Sequence, residues 1–248
     1  MNLYYRSAIM IFLLMLMVVS LSAADDALAI IRKVDDLGEI STSIAKMSML
    51  TFPYASDNSN YRDMKVLAYG KGEDNSYMEF ISPRSIKGLR ILSLEGDQWI
   101  YFPSTGRVRK IAEKAKDQSV QGVGGDFSYE DLSGGSMEEK YEFKILDEDE
   151  DTWKLEGIPK EESAYSKIII TVEKETYLSP KVEYYSAEDG HKKDLISEDF
   201  KTISGQLMPT RMTMINLVKQ SKTVVIIHEA EYNLPVDDKY FNPMRFYK

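Results

Sequence analysis

Hydrophobic and polar residues alternate with period two along most of the chain, the pattern of half-buried β-strands. In TSIAKMSMLTF, Ala45, Met47 and Met49 fall on one side of the predicted strand and Lys46 and Ser48 on the other. Similar segments, separated by turn residues, predict further strands at 61–70, 76–82, 89–94, 98–102, 107–111, 140–146, 152–157, 166–173, 181–186, 192–201, 208–218 and 223–232.

One segment near the N-terminus has helical spacing instead. The sequence DDALAIIRKVDDL places apolar residues three and four apart and ends at Gly38, so it predicts one amphipathic helix. A second, short helix is predicted near 127–132. Hairpins with almost no interleaved helix predict a mainly β fold, in which an antiparallel meander curls into a barrel or half-barrel, or splits into a sandwich. The two helices would cap the concave side.

The N-terminus resembles a secretory signal. Arg6 precedes an apolar run from Ala8 to Val19, and Ser22-Ala23-Ala24 fits a cleavage site before Asp25. The run is shorter than the ~20 residues that a membrane-spanning helix needs, although an uncleaved anchor is the alternative. We therefore expect residues 1–24 to be removed and 25–248 to form a single domain.

The amino-acid composition excludes several classes of chemistry and of binding partner. The chain has no cysteine, which removes disulfides, thiol nucleophiles and N-terminal thioether lipidation. It has 31 Lys and Arg against 40 Asp and Glu, a formal net charge of −9, and loss of Arg6 with the leader takes the charge to −10. An acidic protein is a poor match for nucleic acid, which we exclude as a partner.

Catalytic patterns are scarce. His191 and His228 have no metal-binding spacing, so we expect no metal or cofactor, and Ser128 lies outside a nucleophile elbow. Glu130 and Asp131 could serve glycoside hydrolysis only at a defined separation that sequence adjacency does not supply. The density of aromatic residues and arginine between Phe80 and Leu132 favours binding over chemistry.

Methionines are the first candidates for a binding surface. Met47 and Met49 share one strand face, and Met212 and Met214 share another. Long, polarizable side chains adapt to irregular apolar partners, but the same spacing suits an ordinary core. A half-barrel favours the first reading, because its concave face must be filled by helices or by a ligand.

Aromatic and charged residues follow. Trp99 and Tyr101 alternate with apolar neighbours, so one face of their strand should meet the core and the other a helix or ligand. Arg107 and Arg109 are same-face neighbours on the next strand. We expect them to form ion pairs that hold the glycine-rich loop over the sheet, an anion site being the alternative, and the nearby carboxylates are those of Asp126, Glu130 and Asp131.

The segment PRSIKGLRILSLEGDQWIYFPSTGRVRKI, followed by GGDFSYEDL, resembles the outer-membrane lipoprotein-sorting protein family, which is related to the LolA and LolB carriers. Its most specific part is W-x-Y-x-P, then R-x-R, then G-x-D-F-S-Y-E-D, in that order. The segments YLSPKVEYYSAEDGHKKDLISEDFKTISGQLMPTRMTMINL and DDKYFNPMRF also resemble this family, so the resemblance covers most of the chain after the leader.

The resemblance implies an incomplete antiparallel β-barrel closed by helices, around an apolar cavity for the acyl chains of lipoproteins or lipids. It implies a non-enzymatic periplasmic carrier that receives cargo from an inner-membrane transporter and delivers it to an outer-membrane acceptor. Expected cavity contacts are Met47, Met49, Trp99, Tyr101, Phe127, Met212 and Met214. The expected mobile lid is 121–132, where Gly122, Gly124 and Gly125 would permit movement.

Two other functions stay open at this point. The same fold could serve as an accessory or adaptor subunit of an envelope transporter, docking through its acidic surface. An enzyme that acts on envelope glycans through Asp and Glu residues is the third reading. A carrier must bind acyl chains, an adaptor must assemble with a partner, and an enzyme must lose turnover when one carboxylate is replaced.

Overall fold

A computed structural model describes residues 26–38 and 40–248 of the chain. Thirteen strands form one antiparallel sheet in the order β6-β5-β4-β3-β2-β1-β13-β12-β11-β10-β9-β8-β7, which is curved and does not close. The strands are β1 Thr42–Phe52, β2 Arg62–Lys71, β3 Asn75–Ser82, β4 Arg90–Leu94, β5 Asp97–Phe102, β6 Arg107–Lys110, β7 Tyr141–Glu148, β8 Thr152–Pro159, β9 Lys167–Glu173, β10 Lys181–Ser186, β11 Gly190–Ile203, β12 Gln206–Asn216 and β13 Ser221–Tyr232.

The predicted mainly β fold, a half-barrel capped by helices, is confirmed. Every predicted strand is present, with ends that differ by at most two residues for most of them, because alternation locates a strand better than it locates its ends. Helix α1 covers residues 26–38 of the described chain, as the helical spacing predicted.

The prediction of a helix near 127–132 was wrong. These residues form turns around an isolated bridge between Ser119 and Ser128. Ser128 and Asp131 exchange the hydrogen bonds of a helix N-terminus, but no helix extends from them, because the chain then reaches Gly134 and Gly135, which are poor helix formers, and Gly135 has a positive φ. Helix α2 is instead Met137–Lys140, and the Ser136 side chain accepts a hydrogen bond from the Glu139 N–H at its N-terminus.

One face of the sheet carries two neighbouring apolar clusters, and we call it the inner face. On β1–β6, β12 and β13 it is covered by residues 111–135, which we call the covering segment. On β7–β11 it is covered by α1, whose Ala27 and Ile31 are fully buried against strand residues such as Ile168 and Ile170. The inner face therefore has no second sheet above it.

The opposite face of β2–β6 packs against the C-terminal residues 233–248. Phe241 and Phe246 are buried there with Tyr77 and Leu92, and Tyr240 stacks on Tyr69 at a ring distance of 4.2 Å. Both faces of the N-terminal half of the sheet are thus covered, which explains the near-continuous apolar sequence of β4 and β5.

The predicted leader, residues 1–24, lies outside the described residues. Within the part that the structure does describe, no helix has both the length and the apolar character needed to cross a bilayer.

Candidate functional site

Methionines of the inner face lie on β2, β1 and β12 and form, with Val225 of β13 between β1 and β12, an apolar strip that we call the methionine strip. On β2, Val66 is the cross-strand partner of Met47 and Met64 is that of Met49. Val225 on β13 is the cross-strand partner of both Met49 on β1 and Met212 on β12. Met49 is 4% exposed, whereas Met47 and Met212 are only partly buried at the edge of the same cluster. This is the surface that sequence analysis predicted for acyl chains.

Phe127 joins this strip from above. It lies in the covering segment and packs against the cluster that contains Met49 and Val225, with Val120, Val123 and Tyr129 of the same segment. The covering segment therefore occupies the position in which an acyl chain would contact the methionines. A bound chain needs this segment to shift, or must enter at its edge.

The first polar anchor of the covering segment is at Asp126, which is 3% exposed. Its backbone N–H donates to Thr223 Oγ1 at 2.9 Å, and the Thr223 hydroxyl lies 2.8 Å from the carboxylate. Ser221 donates to the other carboxylate oxygen. These bonds hold the segment to the first residues of β13.

Backbone conformation makes this close approach possible. Gly124 and Gly125 have φ of +74° and +84°, a region that other residues rarely adopt. A Cβ on Gly125 would lie 2.8 Å from Thr223 Oγ1 and 3.0 Å from Thr51, whereas a Cβ on Gly124 would meet nothing within 4 Å. Gly125 is needed for contact with the sheet and Gly124 for the turn alone.

The second anchor is a buried ion pair. Lys193 Nζ lies 2.8 Å from Asp131 Oδ2, and the two side chains are 6% and 2% exposed. Tyr165 donates its hydroxyl to Asp131 Oδ1 at 2.6 Å, and the Ser128 N–H donates to Oδ2 at 2.7 Å. Burial and the adjacent carboxylate raise the pKa of the Tyr165 hydroxyl, which therefore stays a donor.

The expected partners of these carboxylates were wrong. Neither Arg107 nor Arg109 forms an ion pair with Asp126 or Asp131 among the described residues. Arg109 instead lies 3.4 Å from the Gln121 side-chain oxygen, and Arg107 is exposed on β6. Lys193 is the cation that pairs with Asp131, because the covering segment has crossed the inner face as far as β11, the strand of Lys193, at the point where Asp131 occurs.

The structure separates the residues that sequence analysis grouped as cavity contacts. Met47, Met49, Met212, Met214 and Phe127 share the inner face, whereas two aromatic residues lie on the opposite one. These are Trp99, which Lys110 approaches at 5.4 Å from the ring, and Tyr101, which stacks on Tyr247 at 5.7 Å. Both pack under the C-terminal residues, so they are omitted from the candidate site below.

A cleft of about 950 Å³ opens beside the covering segment, between it and the 159–165 loop. Its deep end reaches Tyr184 and Leu195 on the inner face, and Leu195 is the direct cross-strand partner of Met214. The rim carries Glu161 and Glu162 of the loop, together with Lys114 and Lys116 of the covering segment. The cleft thus has a charged rim and, at Leu195, a lining residue next to the buried Met214.

Groups suited to catalysis are engaged in structural contacts. Glu130 accepts hydrogen bonds from the Ser163 hydroxyl and the Ala164 N–H. His228 lies 2.6 Å from the Ser48 hydroxyl, but Ser48 is 2% exposed and lies on the face away from the methionines. No cluster of three or more metal-ligating side chains occurs among residues 26–38 and 40–248.

Sequence reasoning missed Lys193, Tyr165 and Thr223 as anchors. Each comes from a strand or loop far from the covering segment along the chain, and Lys193 is one of two adjacent lysines in an ordinary alternating strand. One signal was available: Lys193 falls on the same side of its strand as the apolar Leu195, where an unpaired charge would be costly.

Comparison with known proteins agrees with this architecture. A domain of an outer-membrane lipoprotein-sorting protein from Vibrio parahaemolyticus superposes with a TM-score of 0.82 at 24% identity, over 91% of this chain and 100% of the other. A DUF1329 family protein from Desulfovibrio piger gives 0.80 at 23%, over 89% and 97%. A LolA superfamily protein from Nitrosomonas europaea gives 0.72 at 22%, over 87% and 97%.

These identities establish the fold alone. No curated protein sequence matches the chain significantly. A family model described as "Uncharacterized protein" matches residues 72–247, a region that begins at the β2–β3 turn and includes the covering segment and the C-terminal residues. Because this model covers most of the chain, the chain belongs to the family that it describes, and the solved neighbours show that its fold is LolA-like.

Proposed function

We propose that this protein is a periplasmic, non-enzymatic carrier that binds acyl chains of lipoproteins or lipids and moves them towards the outer membrane. One observation carries the proposal. A strip of methionines, of which Met47 and Met212 are partly buried and Met49 and Met214 are buried, lines the inner face of an unclosed sheet, and the chain's own covering segment, rather than a second sheet, lies over it.

The energetics suit reversible transfer. Each CH₂ group that leaves water for an apolar site contributes ~0.8 kcal/mol, so even part of an acyl chain would be held firmly. Release then requires a surface that can be covered again by the protein itself. Phe127, Val120 and Val123 offer that alternative, because they pack against the methionine strip.

The contacts of a bound chain would come from Met47, Met49, Met212 and Met214 on the sheet and from Phe127 above them. Gly124 and Gly125 would let the covering segment change its path. We further propose that residues 1–24 are a cleaved signal, that 25–248 act as one domain, and that cargo comes from an inner-membrane transporter and goes to an outer-membrane acceptor.

Site-specific photo-cross-linking tests this proposal. A photoreactive amino acid at Met212 should cross-link to a radiolabelled fatty acid or lysophospholipid. The same amino acid at Ile158, which is 43% exposed on the opposite face of β8, serves as the matched control. Labelling at position 212 well above that at 158 supports a carrier. Equal or absent labelling contradicts it and favours an accessory subunit that binds no lipid.

A further inference from the structure

Tyrosine hydroxyl groups line the cleft beside the covering segment. Tyr141 lines it and is only 8% exposed, yet its hydroxyl has no hydrogen-bonding partner among the described residues. The Tyr184 hydroxyl, deeper in the same cleft, likewise has none within that part of the chain. Burial, with the nearby Glu130 and Asp131 carboxylates, raises the pKa of the Tyr141 hydroxyl. Two neutral phenols thus remain available to a ligand.

The rim of the cleft has an excess of negative charge. Of its three lysines, Lys116 pairs with Glu113 at 2.9 Å, whereas Lys114 and Lys140 form no ion pair among the described residues, although the Lys140 ammonium donates to the Ser133 carbonyl at 3.1 Å. The carboxylates of the cleft that likewise form no ion pair in that part of the chain number six: Glu95, Asp117, Glu130, Glu139, Glu161 and Glu162. The local field favours a cation.

The cleft combines charged and apolar lining residues. Besides the charged rim, its lining includes Tyr141, Tyr165, Tyr184 and Leu195, and Leu195 is the cross-strand partner of the buried Met214. A ligand that fits both parts has a cationic end and an apolar end. A primary ammonium suits the cationic end, because its three N–H donors can reach carboxylates and phenol oxygens together.

We propose that this cleft binds the primary ammonium head group of an acyl-bearing amphiphile, with the chain directed past Leu195 onto the methionine strip. The inference rests on the proposed carrier function and adds a head-group site to it. The ammonium could belong to an aminophospholipid or to a water-soluble amine, and only the first would use the apolar end of the cleft.

Calorimetric titration distinguishes these possibilities. Lysophosphatidylethanolamine should bind the protein about tenfold more tightly than lysophosphatidylglycerol of the same chain length, the scale of one charge-assisted hydrogen bond. Ethanolamine alone should bind far more weakly than the lysolipid. The double variant E161Q/E162Q should bring the affinity ratio of the two lysolipids close to one, and Y141F should reduce it.

The matched control is E150Q/E188Q, which removes the same charge from two exposed residues that do not line the cleft and should keep the ratio. Equal affinity of the two lysolipids in the unmodified protein would overturn the head-group site and leave the carrier intact. If ethanolamine binds as tightly as lysophosphatidylethanolamine, the cleft is a site for soluble amines, and the proposal that its ligand carries an acyl chain is overturned. Failure of both lysolipids to bind would overturn the carrier function itself.

Discussion

Asparagine in place of Asp131 tests whether the covering segment is held by the buried ion pair. The two side chains are 2% and 6% exposed, so the Lys193 charge would stay in a dry environment with only the Tyr165 hydroxyl and an amide as partners. Removal of one partner from a buried pair costs about 3–5 kcal/mol, and the retained amide oxygen places D131N near 3 kcal/mol. The protein should remain folded, since typical stabilities are about 5–15 kcal/mol.

Urea unfolding, followed by tryptophan fluorescence on the chain without its predicted leader, measures this loss. D131N/K193M removes both charges and should be more stable than D131N alone, because no buried charge is left unpaired. D117N is the control, since Asp117 is exposed on the same segment and should change stability by less than ~0.5 kcal/mol. If D131N loses no more stability than D117N, the ion pair does not fasten the segment.

Three further outcomes follow from the same geometry. G125A should lower the free energy of unfolding in urea by ~2–4 kcal/mol, because it adds a clash with Thr223 to the strain of a positive φ. G124A brings the strain without the clash and should lower it by only ~1–2 kcal/mol. Equal losses of stability in the two variants would contradict the contact between Gly125 and the sheet. M49A should lose ~2–5 kcal/mol through cavity formation, and M244A, 71% exposed, should lose almost nothing in the same assay. Burial and a neighbouring phenol raise the pKa of Tyr69 to about 12 from 10.0, so the native state retains a proton that the unfolded state releases. Stability should therefore fall as pH rises from about 10 to 12, and tyrosinate absorbance of the native protein should lag that of the unfolded protein; coincident titrations would refute this shift.

Strand positions could be predicted because period-two alternation is local. The first strand, Thr42–Phe52, and the strand Lys181–Ser186 agree with their predicted limits, and the amphipathic spacing of α1 was equally clear. The covering segment was harder to predict. Ser128 and Asp131 make the hydrogen bonds of a helix N-terminus, so the local pattern favoured a helix, but Gly134 and Gly135 follow before a helix can extend.

The site residues also fall into two groups: those whose position follows from local spacing, and those whose position depends on distant parts of the chain. Met47 and Met49 could be assigned to one face because they lie two apart on one strand. Alternation also assigns Trp99 and Tyr101 to one shared face of their strand. It does not say whether that face meets the covering segment or the C-terminal residues 233–248, and in the structure the C-terminal residues pack over both side chains. The pairing of Asp131 with Lys193 spans 62 residues and follows from the order of strands, which alternation does not encode.

Native mass spectrometry of the protein, purified under mild conditions from cells that produce it, tests the carrier function most directly. We predict a population whose mass exceeds that of the polypeptide by one acyl lipid. Dissociation should release that lipid for identification, and tryptophan at Met212, which would fill part of the methionine strip, should reduce its occupancy. A single species at the polypeptide mass, unchanged when lysophospholipid is added, would show that the inner face serves only as a core.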